Sequence, residues 1–243
     1  MRLFIAFIFI FFFVYEAQSQ ETSANVSTPK GSTVTAWTVT ENTNTWRAYY
    51  DAYYAATGRD YIQYFGDGYS SSRRFNCHGY GWHMVEGGAP RWIGWAVTTE
   101  EDIYMTDGSY VQVCNEMYPG KVSWGSGDHT AITTSTPGRW ISKWNQWPLM
   151  EHDWNDTPFG TTNLKYYVST EISGSNAVLC SGTRSLSARS ISGASYTWYV
   201  SSQLSIVSGQ GTNTVTVQRN GSSNGPASVY VEISTPCSGG TVT

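Results

Sequence analysis

Apolar and polar residues alternate in short runs along most of this chain, which predicts many short strands and few helices. Thr33 to Thr40 sets Val34, Ala36 and Thr38 against Trp37 and Val39, as a strand would. The polar stretch before it, Gln20 to Thr33, reads as a flexible lead-in. One segment has a different period. Trp46, Tyr49, Tyr50, Tyr53 and Tyr54 recur at three and four residues, the aromatic face of a helix from about Asn44 to Ala56. Asn42 or Thr43 is placed to cap its start, and Gly58 to close it. Aromatic residues at this spacing are expected in the core.

Tyr110 to Val113 and Lys121 to Trp124 alternate as strands. A glycine-rich entry, Gly125 to Gly127, leads into a strand headed by His129. Pro137-Gly138 marks a turn, and Arg139 to Trp144 returns, making an antiparallel hairpin. That hairpin is expected to set His129 opposite Asn145 or Gln146. Leu164 to Val168 supplies a further strand. Near Thr170 the texture changes: Trp and charge thin out, and Ser, Gly, Val and Thr dominate. Short runs around Trp198, Ile206, Val215 and Val231, separated by Gly, Ser and Asn turns, predict a small β-sandwich with Trp198 at its centre.

The first residues change the picture of where the chain works. Arg2 precedes an unbroken apolar run from Leu3 to Val14, and Ala17-Gln18-Ser19 is a small-x-small cleavage site. This is expected to be a signal peptide, residues 1–19, too short to span a bilayer. No later segment is apolar enough to cross a membrane. A secreted, periplasmic or cell-surface location follows as an expectation. Only 13% of the 243 residues are charged, against 15% aromatic, and ordinary soluble domains carry about twice that share of charge. A net charge of -4 leaves no basic footprint for nucleic acid.

The candidate chemistry centres on Asn76-Cys77-His78-Gly79-Tyr80-Gly81-Trp82. Asn76 is a natural N-cap, which puts Cys77 in the first turn, where a helix dipole favours thiolate. Gly79 and Gly81 weaken that helix but allow substrate or backbone to come close. His129 is the candidate base. Asn145 is the first choice for a group orienting it, with Gln146 and His152 as alternatives. Tyr80, Trp82 and Asp128 flank the pair and are candidates to line a substrate site. A metal is not expected. His78 and His83 are five apart and diverge on a helix, and His129 and His152 lack a clear carboxylate companion beyond Asp128 and Asp153. No cofactor is indicated.

Phe75 to Tyr80 and Gly127 to Ile132 resemble the nucleophile and base motifs of papain-like NlpC-type and CHAP-type cysteine amidases and peptidases. That resemblance implies an α+β papain-like domain with an antiparallel sheet at residues 20–168. It further implies an amide hydrolase in which Cys77 attacks, His129 moves the proton, and peptidoglycan stem peptide or another peptide is the substrate. Residues 29 to 168 also resemble uncharacterised exported Bacteroides-type proteins. The segments Cys180 to Gly182, Trp198 to Val200, Ile206 to Gly211 and Thr214 to Val217 resemble the Ig-like modules of exported Bacteroidetes proteins. They imply an all-β Ig-like sandwich at 169–243. In such modules the terminal cysteines commonly pair, which implies Cys180 with Cys237 and leaves Cys77 and Cys114 free or bonded to each other. The competing expectation is a non-catalytic extracellular binding or adhesion protein, with Trp144, Trp147 and Trp154 as exposed rings able to stack on sugars.

Overall fold

The computed structural model describes residues 21–62, 66–95, 99–125, 127–175, 181–221, 224–238 and 241–242. The expected signal peptide and Cys180 lie outside these residues. Strand β1 (Thr22–Ser27) pairs antiparallel with β2 (Thr33–Thr38), so the expected lead-in is a strand. Its only deeply buried residue is Val26, set against Val34 in the register, and one apolar position among polar neighbours carries little strand signal. Helix α1 (Asn44–Ala55) follows, capped by Thr43, whose side chain accepts from the Trp46 N–H at 3.3 Å. Gly58 adopts φ 75 just beyond it, a conformation glycine takes without strain.

Seven strands then form one antiparallel sheet. They are β3 (Asp60–Ile62), β4 (Tyr110–Val113), β5 (Lys121–Trp124), β6 (Thr130–Thr133), β7 (Arg139–Lys143), β8 (Leu149–Asp153) and β9 (Leu164–Ser169). Their order is β3-β8-β7-β6-β5-β9-β4. The short helix α2 (Asp102–Thr106) packs on β4. Strands β10 (Thr183–Ser187), β11 (Ser195–Val200), β12 (Leu204–Ser208), β13 (Thr214–Arg219), β14 (Val229–Ser234) and β15 (Thr241–Val242) make two three-stranded sheets, β10-β13-β12 and β11-β14-β15. Trp198 is their buried centre, and its indole N–H donates to the Thr212 carbonyl at 2.7 Å.

The α+β papain-like architecture expected for residues 20–168 is corrected by this fold. The described residues are mostly antiparallel sheet, and helix is confined to α1, α2 and residues 77–86. The last segment changes type along its length. After Cys77 and His78, Gly79–His83 forms π turns and Met84–Glu86 a 3-10 turn. Two glycines in five residues lower helix propensity enough for packing to set the geometry. A Cβ on Gly79 would stand 1.8 Å from the Arg91 carbonyl oxygen, and one on Gly81 would stand 2.5 Å from Thr130 Cγ2. Both glycines therefore admit neighbouring protein.

The two halves share a core. Val111, Val113 and Val168 of the large sheet cluster with Trp198, Val217 and Val231 of the sandwich. Across the same joint Thr235 Oγ1 donates to the Gln112 carbonyl and Arg189 Nη2 to the Tyr118 carbonyl, each at 2.6 Å. Cys114 bonds to Cys237, with Cα atoms 5.2 Å apart. The implied Cys180–Cys237 bridge is thereby corrected, as is a bridge between Cys77 and Cys114. The staple joins sheet to sandwich, because β4 ends beside the chain that leaves β14.

Candidate functional site

Cys77 sits where its local sequence places it. Asn76 Oδ1 accepts from the Gly79 N–H at 2.9 Å, and the Asn76 amide donates to the Ile93 carbonyl at 2.6 Å. The sulfur is a free thiol, but the residue is buried. Burial pushes its pKa up to about 12, and the Glu101 carboxyl adds to the rise. Backbone N–H groups of Thr130 and His78 offset only part of it. A thiol in that state is inert at neutral pH.

His129 is fully buried, and neither ring nitrogen has a hydrogen-bond partner among the described residues. Its ring stacks on Phe159 at 3.9 Å between centroids and meets Trp124 edge-on at 4.6 Å. Burial holds its pKa well below the usual histidine value, and His78 and His152 act in the same direction. No hydrogen bond joins it to Cys77. The hairpin register runs Ala131 to Ser142, Ile132 to Ile141 and Thr133 to Trp140, which carried back reaches Trp144 opposite His129. Asn145 instead lies in the turn after β7, exposed and at φ 55. A one-residue change of register turns a side chain to the other face, which corrects its assignment as an orienting group. Gln146 accepts from Asn42 at 3.2 Å, and His152 Nε2 pairs with Ser142 Oγ at 2.8 Å.

Tyr80 and Trp82 are buried core residues. Trp82 donates to Thr130 Oγ1 at 3.0 Å, and that hydroxyl lies 2.8 Å from His78 Nδ1. Asp128 is exposed beside this network. Burial lowers the His78 pKa to about 4, with Asp128 and the Gly127 carbonyl opposing the shift. Glu101 lies 3.7 Å from His78 and is wholly buried, and both its oxygens lack a hydrogen-bond partner among the described residues. Burial lifts its pKa to about 8. Between these two values both groups are neutral, so the approach is not an ion pair. Lys143 is also buried, which holds its pKa well below the usual lysine value, and its Nζ donates to the Ser72 and Asn145 carbonyls at 2.8 Å and to the Trp147 carbonyl. Sequence reasoning missed Glu101 and Lys143 as buried titratable groups, because nothing in their local pattern differs from a solvated one. Among the described residues no group of three His, Cys, Asp or Glu is arranged to hold a metal.

The exposed aromatic surface lies elsewhere. On α1, Arg47 and Asp51 face inward. Arg47 Nε donates to the Ser71 carbonyl at 2.7 Å, and Asp51 accepts from the Ser70 and Ser71 N–H groups at 2.8 and 2.7 Å. Tyr54 packs on Trp144 and is buried with it. The same stripe then turns outward, with Tyr49 64% and Tyr53 57% exposed. Trp46 and Tyr50, half-buried, lie 4.2 Å apart, and Trp147 stacks against Tyr50 at 6.3 Å. The expectation that this face is core holds for Tyr54 alone, and Trp144 is not an exposed ring. Trp154 is exposed. At the joint of the two halves a cavity of about 720 Å3 is lined by Lys30, His83, Glu86, Glu171 and Tyr230, charges of both signs with one ring.

Among the described residues no helix is long and apolar enough to cross a membrane. No curated protein matches the chain. No solved structure matches it. The expected likeness to NlpC-type and CHAP-type amidases is therefore corrected, and with it the hydrolase reading and the peptidoglycan substrate drawn from it: two short motifs carried it, and the comparisons support neither. What is found covers the last third of the chain, where residues 167–243 are similar to the PKD-like domain family.

Proposed function

We propose that this chain is an exported, non-catalytic binding or adhesion protein. In this reading the seven-stranded sheet domain carries the contact surface and the PKD-like module presents it. The observation that carries the reading is the module itself: residues 167–243 are similar to a PKD-like domain, and its core and disulfide are shared with the sheet. A shared core and a covalent bond give a fixed geometry between the two parts, which suits a presenting module. The burial of Cys77 and His129 supports the same reading, since a nucleophile must reach its substrate and ionise near neutral pH.

The test compares wild type with Cys77→Ser. Folded protein is labelled and applied to whole cells, to immobilised polysaccharides and to immobilised extracellular proteins, while amide cleavage of peptides and cell-wall fragments is followed in parallel. Retention on at least one surface, equal in the two forms and with no cleavage, is expected. Cleavage that disappears in Cys77→Ser refutes the proposal.

A further inference from the structure

The outward face of α1 has a composition that specifies more than exposure. Its residues are Asn44, Thr45, Ala48, Tyr49, Ala52 and Tyr53. The helix carries two charges, Arg47 and Asp51, and both are buried and paired beneath it. The exposed face is therefore neutral, with two open phenol rings one helical turn apart and alanines leaving space between them. Trp46, Tyr50 and Trp147 continue the ring surface toward the β7–β8 turn. Its two ends are polar. At one, the Asn42 amide donates to Gln146 at 3.2 Å. At the other, Arg59 and Asp156 form a two-point ion pair at 2.8 and 2.6 Å, and the Arg59 guanidinium lies over Trp144.

We infer that this face is a binding platform for neutral oligosaccharides that present a flat C–H face. The inference deepens the binding function proposed above and rests on it. Sugar C–H bonds carry small positive charge and pack on the negative face of an aromatic ring. Hydroxyl edges then meet the amides at one end and the ion pair at the other. Neutrality argues against anionic occupants. An anionic polymer or lipid surface calls for exposed Lys or Arg, and α1 offers none. Protein interfaces also use tyrosine and tryptophan, so the protein-coated surface and sedimentation in the test below separate a protein occupant from a glycan. The polar seating of Arg47 and Asp51 holds the helix in place, so the backbone that carries the rings needs no ordering on binding.

The test uses the full folded chain, with cellohexaose, xylohexaose and mannohexaose as neutral probes and heparin and polygalacturonate as acidic ones. Binding is followed by titration calorimetry and tryptophan fluorescence, alongside sedimentation and a surface coated with extracellular proteins. Binding to at least one neutral probe is expected, insensitive to salt. It should weaken roughly tenfold in Tyr49→Ala/Tyr53→Ala, from the loss of two stacked rings, and persist in Tyr49→Phe/Tyr53→Phe. Both positions are exposed, so an unchanged unfolding curve checks the fold of each variant. Equal neutral-probe binding by the alanine variant overturns the platform while leaving a binding protein. Salt-sensitive binding to the acidic probes alone overturns the ligand class. Self-association lost in the alanine variant assigns the face to a second copy and overturns it as well. If no sugar binds, the glycan assignment fails; capture on the protein surface then leaves the binding function standing, and no capture removes both.

Discussion

Removing the Cys114–Cys237 bond should cost this protein more than any single core contact. The bond closes a loop across a sequence separation of 123. In the chain-entropy account, a cross-link of that span removes about 5 kcal/mol of freedom from the unfolded chain at 25 °C. The native state has little to lose when the bond is cut, because the joint also carries Thr235 to Gln112, Arg189 to Tyr118 and the valine cluster around Trp198. Cys114→Ser/Cys237→Ser should therefore fold with the same contacts and unfold more easily, by about 5 kcal/mol in urea. That corresponds to a melting temperature lower by about 10–20 °C for a chain of this size. Equilibrium unfolding is followed by Trp fluorescence at several wavelengths, with Trp198 in the sandwich and Trp124 and Trp140 in the sheet. A loss under about 1 kcal/mol refutes the reasoning. Two separated transitions in the wild type refute the shared core, since one cooperative unit should melt once.

Gly79→Ala should destabilise by about 3 kcal/mol or more in urea, because the new Cβ meets the Arg91 backbone oxygen at 1.8 Å; Gly58→Ala, with nothing within 4 Å but φ +75, should cost about 1 kcal/mol, and equal midpoints for the two would refute the close approach. Stability should also depend on pH in two opposed ways. His78 has a folded pKa of about 4, below its ordinary 6.5, so its contribution is complete above 6.5 and is lost as pH falls through 4, amounting to about 3 kcal/mol. His129 and His152, also lowered by burial, add to the acid loss. Glu101, raised to about 8 from 4.5, contributes most below 4.5 and loses that contribution as pH rises through 8. Glu101→Gln should remove the decline between about pH 4.5 and 8 and gain on the wild type as pH rises through that window; parallel curves in urea denaturation would show that Glu101 ionises freely.

Much of the local structure was legible in the chain itself. The three-and-four spacing from Trp46 to Tyr54 marked α1, Thr43 and Gly58 bounded it, Pro137-Gly138 marked the β6–β7 turn, and Trp198 was recognisable as the centre of the sandwich. Asn76 announced a cap, and it caps. Each of these rests on backbone rules acting over a few residues. What lay beyond that range needed the tertiary structure. The motif around Cys77 specifies where a helix begins but not how deeply the sulfur is covered, and burial decides whether a thiol ionises. Gly79 and Gly81 look alike for a substrate channel and for a tight contact until Arg91 and Thr130 are in place. Disulfide partners depend on which chain ends meet in space, so Cys237 found Cys114 across the joint. The same holds for the aromatic stripe: periodicity aligned its rings on one side of α1, and only docking of the helix onto Ser70 and Ser71 through Arg47 and Asp51 determined that Tyr54 is covered while Tyr49 and Tyr53 meet solvent.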